Sequence, residues 1–155
     1  MADDGPPPLG RGDFVWTHFP SSEYPTQPSE QRHIALCLRS ASHANGQHVL
    51  LAVYTTTKKP ADRPKARGEI EIPDERAHEY GQTSGFRINV KRIAALPLTV
   101  DYFPDLEKPD HGKRGSSEHL ANACEKLLFA IIKETPELVD FVGPEDSKTT
   151  IAKSF

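Results

Sequence analysis

The run from Gly12 to Pro20 constrains the fold of this chain more than any other segment. It begins at a glycine turn, and its side chains then alternate between two faces: Phe14, Trp16 and His18 on one, and Val15, Thr17 and Phe19 on the other. Alternation with a period of two is typical of a β-strand. The segment therefore predicts a strand with two useful faces.

Further segments with strand character follow. The run from His48 to Tyr54 is continuously apolar, which favours a central strand. In the segment Gly68–Pro73, the pattern places Ile70 and Ile72 inward and the glutamates outward. The remaining strands are predicted at Ile34–Leu38, Phe86–Ile93 and Ala94–Val100. The polar, proline-broken loop between Ser21 and Gln31 is long enough to be a binding loop.

One helix is predicted near the C-terminal end. Ser116 or Ser117 supplies an N-cap, and Glu118 is favourable in the first turn. Apolar residues then recur at helical spacing until Thr135-Pro136 ends the helix, namely Leu120, Cys124, Leu127, Leu128 and Ile131. The periodicity alone therefore predicts a mainly β protein with a C-terminal α-helix.

Length and composition predict one domain. The chain has 155 residues, of which 36% are hydrophobic and 14 are prolines, as expected for a small core with irregular loops. Residues 1–10 carry almost nothing to bury and are predicted to be disordered. We expect the domain to span residues 11–142 and residues 143–155 to be a flexible tail.

Charge and apolar runs exclude some classes of protein. A formal net charge of −3 argues against a surface built for bulk nucleic-acid binding, although a local basic groove remains compatible with it. Met1–Gly10 has no apolar core of a signal peptide, and no run approaches the ~20 apolar residues of a membrane span. We therefore expect a soluble, cytoplasmic protein. Cys37 and Cys124 are interpreted either as buried free thiols or as one disulfide.

The opening motif resembles a known family. The string Gly12-Asp13-x-Val15-Trp16-x-x-Phe19-Pro20, a loop ending Ser29-Glu30-Gln31, and Arg32 before a short apolar strand are similar to the MazF/PemK toxins of toxin–antitoxin pairs. The resemblance implies a small SH3-like barrel with a C-terminal α-helix. It also implies a metal-independent endoribonuclease without a cofactor that cleaves single-stranded RNA. The partners implied are a cognate antitoxin, a second copy in a homodimer, and DNA only through the antitoxin.

The resemblance also implies catalytic residues. Arg32 matches the arginine that opens the second strand, and Thr56 matches a hydroxyl residue after the central strand. Arg87 matches one member of an acid–base pair that a branch of the family carries two residues apart. Asn89 stands where the acidic member would be, and an amide cannot take a proton at neutral pH. The base is therefore expected to be His18 or His33, whose imidazoles titrate near neutrality.

Other residues are candidates for binding RNA. The basic loop from Lys58 to Arg67 would lie beside the site, and aromatic rings such as Trp16 and Tyr54 can stack on bases. The expected RNA-binding set is Trp16, His33, Thr55, Lys58, Lys59 and Asn89. Structural interpretations stand beside these. Arg32 is also explained as a solvated strand edge, the threonines as the β-branched end of a strand, the basic loop as a solvated loop, and Trp16 as core.

A second class of function also fits the sequence. A barrel of this fold that lost its base would be a non-catalytic module binding nucleic acid or protein, and a DNA-binding small barrel is a further alternative. No H-x-x-x-H or C-x-x-C pattern occurs, so the sequence predicts no metal site.

Overall fold

A curved β-sheet organises the chain in the computed structural model, which describes residues 7–57 and 64–154. Within these residues the sheet has seven strands, in the order β4-β5-β3-β2-β1-β6 with β7 beside β5. Their bounds are β1 Asp13–Thr17, β2 His33–Ser42, β3 His48–Thr56, β4 Glu69–Ile72, β5 Phe86–Pro97, β6 Lys113–Ser116 and β7 Asp140–Val142. Neighbouring strands are antiparallel, except that β5 and β7 are parallel.

The alternation in β1 is confirmed by how the two faces are buried. Phe14 belongs to one core cluster, against which Trp16 packs. Val15 and Phe19 belong to a second cluster on the opposite face of the sheet. Covering both faces explains why so short a strand carries large apolar side chains in both directions.

Helices complete the fold. They are α1 Asp74–Ala77, α2 Glu118–Glu134 and α3 Glu145–Ala152, with 3₁₀ turns at His78–Tyr80 and Pro136–Leu138. The predicted N-cap of α2 is confirmed, because Oγ of Ser117 accepts a 3.1 Å hydrogen bond from the backbone N–H of Leu120. Most of its predicted inner face is buried: Leu120, Cys124, Leu128 and Ile131 join the first core cluster, whereas Leu127 is partly buried and packs against it.

The sheet curls until distant strands meet around Phe14. The ring of Phe14 lies 4.6 Å from the Tyr80 ring and 6.1 Å from the Phe86 ring, measured between centroids. Phe86 is on β5, which β2 and β3 separate from β1. In the described part of the chain no ladder joins β4 to β6. Instead, the 3₁₀ turn at His78–Tyr80 packs against β6. The contact is so close that a Cβ on Gly115 would lie 2.1 Å from the carbonyl oxygen of Glu79.

Two strands differ from the predictions made from the sequence. Residues 86–97 form one strand, β5, where we expected two. Glu69 was expected to point outward, but it is 7% exposed. Its carboxylate accepts a 2.8 Å hydrogen bond from the backbone N–H of Ala66 and pairs with Arg87, so the charge is compensated inside the protein.

Both ends of the described chain are more ordered than predicted. Residues 145–152, in the expected flexible tail, form α3, and Ile151 is fully buried. Leu9, in the expected disordered segment, is 1% exposed, whereas residues 1–6 lie outside the described residues. Each segment contributes one apolar side chain to a core cluster. A single apolar residue forms no periodic pattern in the sequence, so its burial could not be predicted.

Two further predictions bear on chemistry and location. Cys37 and Cys124 are free and buried, which confirms the first of the two alternatives. Burial raises the pKa of Cys124 to about 12 and also raises that of Cys37, so both thiols stay protonated. Among residues 7–57 and 64–154, none of the helices has the length and apolar character required to cross a membrane.

Candidate functional site

A pocket of about 700 Å³ opens between the loop from Ser21 to Gln31 and one face of the sheet. The sheet contributes Phe19, His33, Tyr54 and Arg92 to its walls. The loop contributes mostly neutral polar side chains, together with the carboxylate of Glu30 and the ring of Tyr24. Tyr24 is 59% exposed, so its ring is accessible at the rim.

Arg92 lies flat on the aromatic wall of this pocket. Its Cζ is 4.0 Å from the centroid of the Tyr54 ring and 5.6 Å from that of Phe19. Within the described residues it forms no ion pair, and its buried Nε has no hydrogen-bond partner. Cation–π stacking stabilises the charge but satisfies none of the N–H donors. A ligand that supplies acceptor oxygens, such as a phosphate, would complete this site.

His33 lies beside Arg92. Its ring centroid is 5.1 Å from that of Tyr54, and its buried Nδ1 has no hydrogen-bond partner in the described residues. Burial and the positive charge of Arg92 lower the pKa of His33 below its usual 6.5, while a contact with the backbone of Gln31 acts in the opposite direction. The imidazole is therefore neutral at pH 7 and can accept a proton.

An irregularity in β5 explains the position of Arg92. Val53 pairs with Ile93, but the next residue, Tyr54, pairs with Asn89, so residues 90–92 have no partner on β3. The Asn89 side chain stabilises this bulge, because its Oδ1 accepts a 3.0 Å hydrogen bond from the backbone N–H of Lys91. Bulges re-aim side chains next to functional sites. The signal in the sequence is Lys91-Arg92 in the middle of an apolar strand, which the expected site residues did not include.

Arg32, the expected catalytic arginine, has partners of its own outside the pocket. Its guanidinium lies 4.9 Å from the centroid of the Trp16 ring and forms an ion pair with Asp105, which Lys108 also contacts at 3.1 Å. Burial of Asp105 opposes its ionisation, but Lys108 and Arg32 outweigh burial and lower the pKa of the carboxyl. Arg32 remains 41% exposed along its side chain. Sequence analysis gave no indication of the role of Asp105.

Arg87 and Asn89 share a strand face, as expected, but both have structural roles. Arg87 is 3% exposed, and its guanidinium donates to Glu69, Glu71 and the carbonyl oxygen of Pro64. Asn89 stabilises the bulge described above. The face of the sheet was predicted correctly, whereas the accessibility of Arg87 was not.

The threonines and His18 are placed differently from one another. Thr55 is 2% exposed, and its hydroxyl donates to the Ile34 carbonyl oxygen and accepts from Gln82, so it belongs to the interior. Thr56 pairs with Arg87 across the β3–β5 ladder and is partly exposed.

The Nδ1 of His18 is buried without a hydrogen-bond partner in the described residues. Lys58 and Lys59 lie outside the residues that the structure describes.

Comparison with models of known protein families and with curated proteins gives no match to this chain. No group of three or more His, Cys, Asp or Glu residues is arranged to hold a metal ion within residues 7–57 and 64–154. The candidate functional site of this chain is therefore the pocket that His33, Tyr54 and Arg92 line.

Proposed function

We propose that this protein is a metal-independent endoribonuclease that cleaves single-stranded RNA in the pocket beside Arg92. The observation that carries the proposal is an arginine stacked on Tyr54, without a carboxylate partner in the described residues, next to an imidazole with a lowered pKa. A cation for phosphate and a neutral base are the two groups that cleavage by an internal hydroxyl requires.

The chemistry uses the RNA's own nucleophile. His33 takes the proton of a ribose 2′-hydroxyl, and the 2′-oxygen attacks the neighbouring phosphorus. Arg92 stabilises the charge that develops on the phosphate oxygens. The bond from phosphorus to the 5′-oxygen breaks, and that oxygen takes a proton from solvent water, to which His33 later returns the proton that it accepted. The products are a 2′,3′-cyclic phosphate and a free 5′-hydroxyl, so DNA, which lacks the nucleophile, is not a substrate.

This proposal changes the catalytic roles expected from the sequence. It chooses His33 over His18 as the base, assigns the phosphate cation to Arg92, and gives no acid–base role to Arg87. Arg32 and Trp16 become an adjoining contact surface for RNA, supported by the 41% exposure of the Arg32 side chain and its stacking on the indole ring.

Other parts of the proposal depend on the resemblance to MazF/PemK toxins. These are an SH3-like barrel, a cognate antitoxin, a homodimer and a cytoplasmic location. The curled sheet and α2 support the barrel. For the dimer, Leu128 and Ile131 are buried within the chain. The large apolar side chains of α2 that remain partly exposed are Ile132 and Phe129, each 39% exposed, and the Phe129 ring lies 5.6 Å from the Arg39 guanidinium carbon.

A non-catalytic RNA-binding module is the second candidate. The observation that favours it is the state of Arg87 and Asn89: one is paired with carboxylates in the interior, and the other supports a bulge. Neither is available as an acid or a base. Such a module would use Arg92 and Tyr54 to bind RNA without cutting it.

The test is cleavage of a fluorescent single-stranded RNA by the purified protein, with identification of the product ends. The variants are His33→Gln and Arg92→Gln, and the matched control is Arg76→Gln, an exposed arginine on α1. We expect cyclic-phosphate ends from the parent and the control, and at least about a hundredfold slower cleavage by His33→Gln. Binding without cleavage would establish the module. Neither binding nor cleavage by folded parent protein would reject both functions.

A further inference from the structure

A carboxylate lies next to Arg92 in the sheet but is bound elsewhere. Asp140 on β7 is the Cα partner of Arg92 in the parallel ladder. Paired residues on neighbouring strands have side chains on the same face, with backbones about 4.8 Å apart. The face is the pocket side, because two residues along, Ala94 and Val142 both join the core cluster that contains Phe19. Asp140 is thus the residue beside Arg92 on that face of the sheet.

The partner that Asp140 has is the hydroxyl of Ser22. Oγ of Ser22 donates a 2.5 Å hydrogen bond to Oδ2 of Asp140. In the described residues no ion pair joins Asp140 to Arg92, whose guanidinium lies on Tyr54. Asp140 and Arg92 are therefore ladder neighbours of opposite charge that bind different partners, and because opposite charges attract, this arrangement needs a physical cause.

We propose that the hydrogen bond from Ser22 withholds the Asp140 carboxylate from Arg92 and so keeps the guanidinium available for a phosphate group in the pocket. Ser22 and Asp140 are then positioning residues. The inference rests on the proposed function only for the source of the phosphate, an RNA backbone. The competition between Asp140 and an incoming phosphate for Arg92 follows from charge alone.

The loop does not depend on Ser22 alone for its position. The carbonyl oxygen of Pro25 accepts a 2.6 Å hydrogen bond from the backbone N–H of Gly143, and that of Thr26 accepts one of 3.0 Å from the Tyr102 hydroxyl. These bonds hold the loop on the same side of the pocket. Removal of the Ser22 hydroxyl is therefore expected to release Asp140 without releasing the loop.

The experiment is a titration of full-length protein with inorganic phosphate, followed by the NMR signal of the Arg92 Nε–Hε group. We expect Ser22→Ala to bind phosphate about three- to fivefold more weakly, as expected for one new partly exposed ion pair at Arg92. Asp140→Asn, whose amide oxygen still accepts from Ser22, should bind at least as tightly as the parent. The double variant Ser22→Ala/Asp140→Asn should recover the parent's affinity.

Two results would overturn the inference. One is an unchanged phosphate affinity of Ser22→Ala. The other is a double variant that binds as weakly as Ser22→Ala, which would show that Ser22 acts by holding the loop.

A parallel titration with a 2′-O-methyl octanucleotide separates this inference from the proposed function. The same order of affinities with the oligonucleotide supports RNA as the source of the phosphate. If the order holds for inorganic phosphate while the oligonucleotide does not bind, the RNA function fails and the role of Ser22 and Asp140 stands.

Discussion

Arg87 and Glu69 form an ion pair in the interior, with 3.5 Å between Nη1 and Oε1 and only 4% of each side chain exposed. A second carboxylate, that of Glu71, contacts the same guanidinium at 3.1 Å from the more exposed side. Burying such a pair costs much desolvation free energy, and replacing one of the two partners by a neutral residue leaves the other as an uncompensated buried charge. These ion pairs indicate that Arg87 stabilises the fold, although its position in the sequence suggested a catalytic role.

We expect Arg87→Met to lower the free energy of unfolding by about 3–5 kcal/mol, because Glu69 loses its compensating charge. Urea unfolding measures this value. The control is Arg67→Met, because Arg67 is 45% exposed and pairs with the exposed Glu134, so its loss should leave the unfolding midpoint nearly unchanged. Parental stability of Arg87→Met, combined with lost cleavage, would return Arg87 to the catalytic group.

Stability should depend on the protonation of His33. Its pKa is lowered in the folded state, so below about 6.5 the unfolded chain binds more protons than the folded protein. The free energy of unfolding should therefore fall as the pH drops below 6.5, and this contribution should be constant above that value. Urea unfolding between pH 5 and 8 measures the slope, which His33→Gln should reduce. An identical slope in both proteins would contradict the lowered pKa.

The pH dependence of cleavage tests the same group as a base. If neutral His33 takes the 2′-hydroxyl proton, kcat/KM should rise with pH, and the midpoint of that rise should lie below the usual imidazole value of 6.5. A midpoint clearly above 6.5 would exclude His33 in its observed surroundings. His18→Ala is the control and should preserve the profile.

Gly115 on β6 lies so close to the 3₁₀ turn at His78–Tyr80 that any side chain there should destabilise the protein. A Cβ there would lie 2.1 Å from the Glu79 carbonyl oxygen and 3.0 Å from the Tyr80 Cα, so backbone would have to move. We expect Gly115→Ala to cost about 1–3 kcal/mol and to lower the melting temperature. Gly10→Ala is the matched control, because a Cβ at Gly10 has no atom within 4 Å. Equal melting temperatures would show that the turn moves away easily.

The dimer proposal makes a prediction about α2. Phe129 and Ile132 are each 39% exposed, and paired copies would cover such apolar side chains. Light scattering should give about twice the chain mass for the parent and the chain mass for Ile132→Asp. Val100→Asp changes an apolar side chain that is 45% exposed outside α2 and should remain dimeric. A monomeric parent at micromolar concentration would reject the dimer.

Local patterns determined much of the secondary structure. The alternation in β1, the apolar run in β3 and the serine cap of α2 each depend on residues close together in the chain, and the structure confirms all three. The opening motif also led to the region that contains the pocket, since Phe19, the following loop and His33 lie there. These features were predictable because side-chain period and capping are local properties of the backbone.

Only the tertiary structure decided which charged residues are accessible. Arg87 and Arg92 both lie on β5, yet the carboxylates of β4 enclose the first, whereas the bulge at residues 90–92 places the second on Tyr54 in an open pocket. The partners of Arg32, Leu9 and Ile151 are likewise distant in the chain. Ladder register and the meeting of distant segments depend on the whole sheet, so no pattern within one strand reveals them.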